Sequence, residues 1–176
     1  MMLEQFLRNS PPRPTADSTQ IDPLLVADAF SEVGLVEYRA DVLDHHRVAL
    51  LCDMRTSENY LDYDCAVIVF NRVSRLKVDV KNFDSLAREP YWRSIFSSSF
   101  DPLSAGIRIH LGVQPDMSVD LFAIDVACHF VDLGLGDIPD FTDASDAEIA
   151  AGMPSWSSEF IHGVSFYMHP QVVTAP

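Results

Sequence analysis

Lysine and arginine are absent after Arg108, so residues 109–176 carry 10 Asp and Glu with no cation to balance them. The whole chain of 176 residues has a net charge of −14. Such a field repels nucleic acid and anionic membranes and attracts basic proteins, although the same charge also serves solubility alone. The composition therefore predicts a basic protein partner, and neither nucleic acid nor a membrane.

Long apolar runs are also missing, since no stretch approaches the about 18 to 20 residues that span a bilayer. The N-terminal residues show no basic region before an apolar core, so we expect no secretory signal. The three cysteines, Cys52, Cys65 and Cys128, are odd in number, and each lies in an apolar run. We therefore predict free thiols buried in the core of a cytoplasmic protein.

Glycine is scarce and scattered, with seven residues in the chain. No phosphate-binding loop, Gly-x-Ser-x-Gly elbow, HExxH, Cys-x-x-Cys or EF-hand pattern occurs. The motifs that would identify a cofactor, a resident metal or a known catalytic centre are thus missing. The sequence predicts a protein without a cofactor that is not an enzyme.

The stretch from Asp64 to Val80 is the strongest structural signal. Residues 66–70 are apolar at every position, and apolar residues alternate with Arg75, Lys77 and Asp79 further on. Because strand side chains alternate between the two faces of a sheet, this pattern predicts one long central strand that is buried on both faces near Val67.

The rest of the chain predicts a single α+β domain over residues 21–176 behind a proline-rich arm at residues 1–20, in which residues 2–7 form a helical turn. Strands are expected at residues 36–42, 47–55, 107–113 and 161–168, with the first two forming a hairpin and the last at an edge of the sheet. The turn signal Gln114-Pro115-Asp116 leads from the strand at residues 107–113 into residues 118–132, which are either the second strand of another hairpin or a helix. The strands fall in neighbouring hairpins, so the expected fold is a predominantly antiparallel β-sheet of about six strands with two or three short helices.

Helical segments are predicted in three places. Asp22 caps a helix of about two turns that begins at Pro23 and stops near Gly34. Residues 91–96 place aromatic side chains at helical spacing, and Ser97 to Ser99 with Asp101-Pro102 form a loop. Residues 134–146 are also loop, and Thr142 caps a short helix that ends at Gly152.

Several polar groups invite a catalytic or metal-binding interpretation. His45 and His46 are adjacent in a turn, and Asp62-Tyr63-Asp64 matches a metal-holding pattern of some glycosyltransferases. A nucleophile with a base is conceivable from Cys128, His129 and His110, and an acid–base pair from Asp41 and Asp53. For each of these groups the competing interpretation, a solvated surface residue or a hydrogen-bonded core residue, is the simpler one.

Six carboxylates fall within 17 residues around a loop and a helix start, beside two aromatic residues. Protein interfaces with strong electrostatic steering combine charge with aromatic anchors in this way. A solvated, capped helix in an acidic protein is the competing interpretation. The candidate partner-binding residues are Asp132, Asp137, Asp140, Phe141, Asp143, Asp146, Glu148 and Trp156.

Over residues 35–80, two predicted strands joined by a short turn precede a loop of about ten residues and a long strand, in which the step from Phe70 to Leu76 lies midway. This order of elements resembles the β-rich immunity proteins of bacterial polymorphic toxin systems. The resemblance implies a cytoplasmic protein that acts by occluding a toxin, with no catalytic residues. Many such toxins are basic nucleases whose active sites accept an acidic surface.

We therefore predict a non-enzymatic acidic binding protein that neutralises a basic partner, with a toxin as the candidate. Two alternatives remain open. One is a small-ligand binder or hydrolase-like enzyme whose pocket is lined by Tyr91, Trp92 and Trp156, with His110 or His129 as base. The other is a structural subunit of a larger assembly.

Overall fold

The computed structural model describes residues 2–8, 22–41, 46–57, 63–81, 93–159 and 163–170. Within these ranges the chain forms nine strands, two short α-helices and one 3-10 turn. The helices are α1 (Leu3–Arg8) and α2 (Asp146–Gly152), and the 3-10 turn is Pro23–Leu25. The strands are β1 (Val33–Asp41), β2 (Arg47–Asp53), β3 (Cys65–Asn71), β4 (Arg75–Val80), β5 (Ser94–Leu103), β6 (Gly106–Gln114), β7 (Met117–Ala123), β8 (Asp125–Val131) and β9 (Gly163–Met168).

All nine strands belong to one antiparallel sheet in the order β4-β7-β6-β5-β1-β2-β3-β8-β9. The predicted antiparallel architecture is confirmed, as are the β1–β2 hairpin and the edge position of β9. The predicted number of about six strands is wrong. Two of the predicted segments each divide into two strands, and β5 occupies residues that the sequence assigned to a helix and a loop.

The predicted long strand from Asp64 to Val80 is the first of these divided segments. β3 lies between β2 and β8 and is buried on both faces, as predicted, whereas β4 lies at the edge of the sheet. The chain turns between them at Arg72, which has a left-handed φ of 53°. Asp125 accepts hydrogen bonds from the side chains of Asn71 (2.6 Å) and Arg72 (2.7 Å), and this polar network stabilises the bend.

Residues 118–132 are the second divided segment, and they form strands, not a helix. β7 forms the predicted second hairpin with β6 across the turn at Pro115 and Asp116, and it also pairs with β4, while β8 pairs with β3 and β9. The bend at Ile124, whose N–H bonds to the carbonyl of Asn71 (3.1 Å), lies beside the bend between β3 and β4. The paired strands β3 and β8 therefore continue, past these two adjacent bends, into β4 and β7, which pair with each other at the other end of the sheet order. We call these two pairs the ribbon.

The main core includes buried residues from β1, β2, β3 and β5 to β9, so strands from both ends of the sheet order contribute to it. Phe30 is fully buried in this core, with its ring centroid 5.8 Å from that of Phe100 and 6.4 Å from that of Phe130. A second cluster covers the outer face of β2, β3 and β8, and it is completed by Leu3 of α1 and by Trp156. These two clusters bury β3 on both faces.

The N-terminal helical turn packs on the body of the protein as predicted. The N–H groups of Leu3 and Glu4 bond to the carbonyls of Ser158 and Trp156, each at 3.0 Å. Asp22 caps the following element as predicted, through a bond from the N–H of Leu24 (2.9 Å). That element is a single 3-10 turn and not a two-turn helix, because the chain enters β1 at Val33.

Other predicted boundaries differ from the structure. Gly34 lies within β1 and does not end a helix. Ile95 and Phe96, predicted as helical, belong to β5, as do the serines and Asp101-Pro102 that were predicted as loop. The residue that caps α2 is Ser145 and not Thr142. Tyr91, Trp92 and most of the N-terminal arm lie outside the described residues.

Across the described residues, no helix is both long enough and apolar enough to cross a membrane. The three cysteines are unpaired and buried, as predicted.

Truncation of Phe130 tests the importance of the main core. Its ring contacts Tyr63 (5.7 Å between centroids) and Phe166 (5.9 Å) as well as Phe30, and it is fully buried. We expect Phe130→Ala to lower the free energy of unfolding by about 3 to 5 kcal/mol, as measured by urea denaturation, because the cavity cannot close fully. Phe96→Ala, at a half-exposed position on β5, is the control and should cost less than about 1 kcal/mol. Equal losses in the two variants would contradict this account of the core.

Candidate partner-binding surface

The acidic segment, defined here as residues 132–148, connects the end of β8 to the first turns of α2. It carries six carboxylates and no lysine or arginine. One of the six, Asp132, is partly buried. The other five are exposed to solvent: Asp137, Asp140, Asp143, Asp146 and Glu148.

One attachment of this segment to the sheet comes from the carboxylate of Asp64, just before β3. Its two oxygens accept the N–H groups of Leu133 and Leu135, each at 2.8 Å. A carboxylate that receives two backbone N–H groups is well satisfied and fixes the direction of the chain. The segment is thereby held against the start of β3 as it leaves β8.

Arg55, just after β2, provides the second attachment. Its guanidinium donates to the carbonyls of Gly136 (2.9 Å), Asp137 (3.1 Å) and Gly152 (2.8 Å). It thus joins the first part of the acidic segment to the end of α2. Because a guanidinium presents five N–H groups in a rigid plane, one side chain can hold three carbonyls at once.

Asp53 orients Arg55 in turn. The two side chains form a bidentate pair, with Nε–Oδ1 at 2.9 Å and Nη2–Oδ2 at 2.6 Å. The side chain of Arg55 is only 10% exposed and that of Asp53 only 4%. A charge buried to this extent is tolerated because it is paired and hydrogen-bonded. The pair lies beside Asp64, since Asp53 is opposite Cys65 in the β2–β3 register.

Hydrogen bonds within the segment fix its local shape. Asp140 accepts the N–H (2.9 Å) and the hydroxyl (2.6 Å) of Thr142, and Ser145 with Glu148 forms a capping box at the start of α2. The hydroxyl of Thr142 and that of Ser145 lower the pKa of Asp140 and of Glu148, respectively. Both groups therefore keep their negative charge to a lower pH than an ordinary carboxylate does.

None of the six carboxylates takes part in an ion pair among the described residues. Four described cations of the first half pair with other carboxylates: Arg39 with Glu4 and Glu37, Arg55 with Asp53, Arg72 with Asp125, and Lys77 with Asp79. Arg55 reaches the segment through backbone carbonyls only. The negative charge of the segment therefore faces solvent without a compensating cation in the described chain.

The two aromatic residues of the predicted surface differ from the carboxylates. Trp156 is only 2% exposed and packs in the second cluster, where the guanidinium of Arg39 lies 5.0 Å from the ring centroid. It therefore cannot be an exposed anchor for a partner. Phe141 is half-buried within the segment.

His110, Cys128 and His129 do not come together as a nucleophile and its base. His110 is exposed on β6 and pairs with Asp120 (2.8 Å), whereas Cys128 is fully buried in the main core. Burial raises the pKa of Cys128 well above its usual range, so the thiol is protonated at neutral pH. His129 points to the other face of β8, where its Nδ1 lies 2.7 Å from the hydroxyl of Ser165.

The carboxylate pairs considered from the sequence are separated as well. Asp41 is opposite Arg47 and Asp53 is opposite Gly34, so they lie at the two ends of the β1–β2 hairpin. The interpretation of Asp53 as a solvated surface residue is wrong, because it is buried beside Arg55. Asp62 and His45 lie outside the described residues, and within the described part no cluster of three His, Cys, Asp or Glu residues could hold a metal ion.

Sequence reasoning considered Asp53 and Asp64 only as catalytic or metal-binding candidates, and it did not single out Arg55. It missed that these three residues hold the surface in place. One signal was available. An acid that ends a wholly apolar strand and is followed two residues later by an arginine indicates a buried ion pair more than a wet surface. The carbonyl partners of Arg55 are about 80 to 100 residues away in the chain, and no local pattern identifies them.

Comparison of the chain with protein-family models, with curated protein sequences and with solved structures gave no significant match.

Removal of Arg55 tests how the surface is attached. We expect Arg55→Met to lower the free energy of unfolding by about 3 to 5 kcal/mol, because Asp53 is left as an unpaired buried charge. Hydrogen exchange should accelerate at residues 133–152, which lose three carbonyl bonds. The double variant Asp53→Asn/Arg55→Met is the control and should recover part of the stability, since it removes the unpaired charge. A double variant less stable than Arg55→Met would contradict this description of the pair.

The pH dependence of stability tests the burial of His129. Desolvation lowers the pKa of this imidazole from 6.5 to about 4 in the folded chain. The unfolded chain therefore binds more protons between these values, and stability must fall as the pH drops. From pH 7 to pH 5 we expect a loss of about 2 kcal/mol that is absent in His129→Asn, by urea denaturation at each pH. A slope unchanged in His129→Asn would contradict the prediction.

Proposed function

We propose that this chain is a non-enzymatic binding protein that occludes a basic protein partner, with the acidic segment as its contact surface. We further propose that the partner is a toxin that the chain neutralises in the manner of an immunity protein. The observation that carries the first proposal is the group of exposed carboxylates that no cation of the described chain neutralises. Support for the second is the resemblance over residues 35–80 together with the sign of the charge.

Rigid attachment makes the acidic segment suitable for tight binding. Association costs free energy whenever a loop must be ordered, so a surface already held in shape loses less on binding. The bonds from Asp64, from Arg55 and within the segment hold its backbone before any partner arrives. Charge is thus presented at defined positions.

The charge also sets the rate at which a partner arrives. A negative surface on a protein of net charge −14 attracts a basic partner over a distance of about one Debye length, which is about 8 Å at physiological salt. Because Trp156 is buried, the contact depends on charge more than on aromatic anchors. We therefore infer a binding reaction with a strong salt dependence.

Occlusion by carboxylates has a simple chemical basis if the partner acts on nucleic acid. The cationic groups that hold phosphates in a nuclease also accept carboxylates. An acidic segment placed over such a site excludes the substrate by competition for the same charges. The proposed setting is the cytoplasm, which agrees with three unpaired, buried cysteines.

Affinity capture from the source cell tests the proposal. The bait is compared with the variant Asp140→Asn/Asp143→Asn/Asp146→Asn, in which the amide oxygen can still accept the bonds from Thr142. We expect the wild-type bait to retain a basic protein, and we expect the triple variant to bind the purified partner at least tenfold more weakly. The product of the neighbouring gene is the first candidate to be purified. Its association rate with the wild-type chain should fall at least tenfold from 0.05 M to 0.5 M salt.

A matched control changes the net charge equally in the other half of the sheet. Asp79, Asp101 and Asp116 are exposed carboxylates on β4, on β5 and in the turn before β7. Their joint substitution by asparagine should weaken binding less than threefold. A partner whose affinity ignores both the loop substitutions and the salt concentration would show that the acidic segment is not the contact.

A further inference from the structure

β4 forms one edge of the sheet. It pairs with β7 on one side, and on its other side no strand of the described chain lies next to it. An edge strand presents a row of backbone N–H and C=O groups that another extended segment can pair with. The opposite edge is better covered, since Phe166 and Met168 of β9 are buried and the 3-10 turn approaches that strand.

The inner face of β4 continues two rows of the main core. Leu76 is opposite Leu121 and Val78 is opposite Val119, and these rows lead on to buried residues of β6. Leu76 is nevertheless 43% exposed and Val78 is 49% exposed. The rows of apolar side chains thus continue onto β4, where the side chains of Leu76 and Val78 are no longer covered by the described chain. A segment added beside β4 would bury both residues.

The outer face of β4 has the opposite sign of charge from the acidic segment. Arg75, Lys77 and the following Lys81 are exposed, against the single acid Asp79, which lies 2.5 Å from Lys77. Asp120 of the neighbouring strand β7 is opposite Lys77 in the register. Residues 75–81 still carry a net charge of +2 in a chain whose total is −14. This edge attracts an acidic segment.

A second copy of the chain satisfies this edge less well than an acidic segment does. In antiparallel pairing of two β4 strands, a two-fold axis at Lys77 places Lys77 opposite itself, although Arg75 then faces Asp79. An axis at Val78 places Arg75 opposite Lys81 and Lys77 opposite Asp79, and an axis at Leu76 places Arg75 opposite Lys77. Each of these three registers contains a like-charge pair, which is destabilising directly across a strand pair. A segment that carries carboxylates faces cations at Arg75, Lys77 and Lys81 and meets a like charge at Asp79.

We propose that β4 is a docking edge for an extended segment of a partner protein in which apolar residues alternate with Asp or Glu. The segment adds to the sheet next to β4, with its apolar residues covering Leu76 and Val78 and its carboxylates facing Arg75 and Lys77. This surface is separate from the acidic segment, which lies beside the start of β3, and it binds a partner of the opposite charge.

Fluorescence anisotropy with a labelled eight-residue peptide of alternating valine and glutamate tests this surface in the full chain. We expect saturable binding that weakens about tenfold in Arg75→Gln/Lys77→Gln, since two charge pairs are lost. A peptide with lysine in place of glutamate should bind at least tenfold more weakly. So should the valine–glutamate peptide when alternate backbone amides are N-methylated, because it cannot complete the hydrogen-bond ladder.

The matched control is Ala147→Glu/Ala150→Glu, which lowers the net charge by the same amount at exposed positions of α2 and should leave peptide binding unchanged. Urea midpoints equal to that of the wild type establish that both variants are folded. The proposal is overturned if the alternating peptide fails to bind, if the N-methylated peptide binds equally well, or if Arg75→Gln/Lys77→Gln binds as the wild type does. A concentration-dependent dimer in sedimentation that Val78→Lys abolishes would assign the edge to a second copy and also overturn it.

Discussion

Burial of β3 on both faces is the constraint on which the rest of this protein depends. Its even-numbered residues from Ala66 to Phe70 face the main core, and its odd-numbered residues from Cys65 to Val69 face the second cluster. A strand buried in this way needs a paired neighbour on each side and a cover on each face. β2 and β8 supply the pairing, the folded sheet supplies the inner cover, and α1 with Trp156 supplies the outer one.

The same strand determines where the acidic segment lies. Asp64 comes directly before β3 and Arg55 directly after β2, and both bind backbone groups of the residues that follow β8. Because β2, β3 and β8 are adjacent, these contacts come together at one end of the three strands. The buried pair of Asp53 and Arg55 thus connects the core to the surface. The free-energy cost of desolvating the pair is offset by three hydrogen bonds from Arg55 to backbone carbonyls and by the two hydrogen bonds from Arg55 to the carboxylate of Asp53.

Charge is separated along the ribbon formed by β3 with β4 and β7 with β8. The acidic segment follows the end of β8, next to the start of β3. The cations of β4 lie at the opposite end of the ribbon, beyond the bends near Arg72 and Ile124. Asp125, the first residue of β8, accepts hydrogen bonds from Asn71 at the end of β3 and from Arg72, and it thus joins β3 to β8 at this bend. The described chain thus carries surfaces of opposite sign at two separate places, and our two proposals assign them to different partners.

The sequence alone determined the antiparallel class, the burial of residues 65–70, the buried cysteines and the acidic character of residues 109–176. These properties depend on the composition and on the alternation of apolar and polar residues along the chain, both of which are determined by residues close together in the sequence. Tertiary structure decided the rest. The breaks at Arg72 and Ile124 arise where the ribbon bends from the β3–β8 pair to the β4–β7 pair. Phe96 is a strand residue because β5 pairs with β6. Trp156 and Asp53 are buried by segments distant in sequence. Such burial depends on long-range packing, and no local pattern specifies which distant segments will meet.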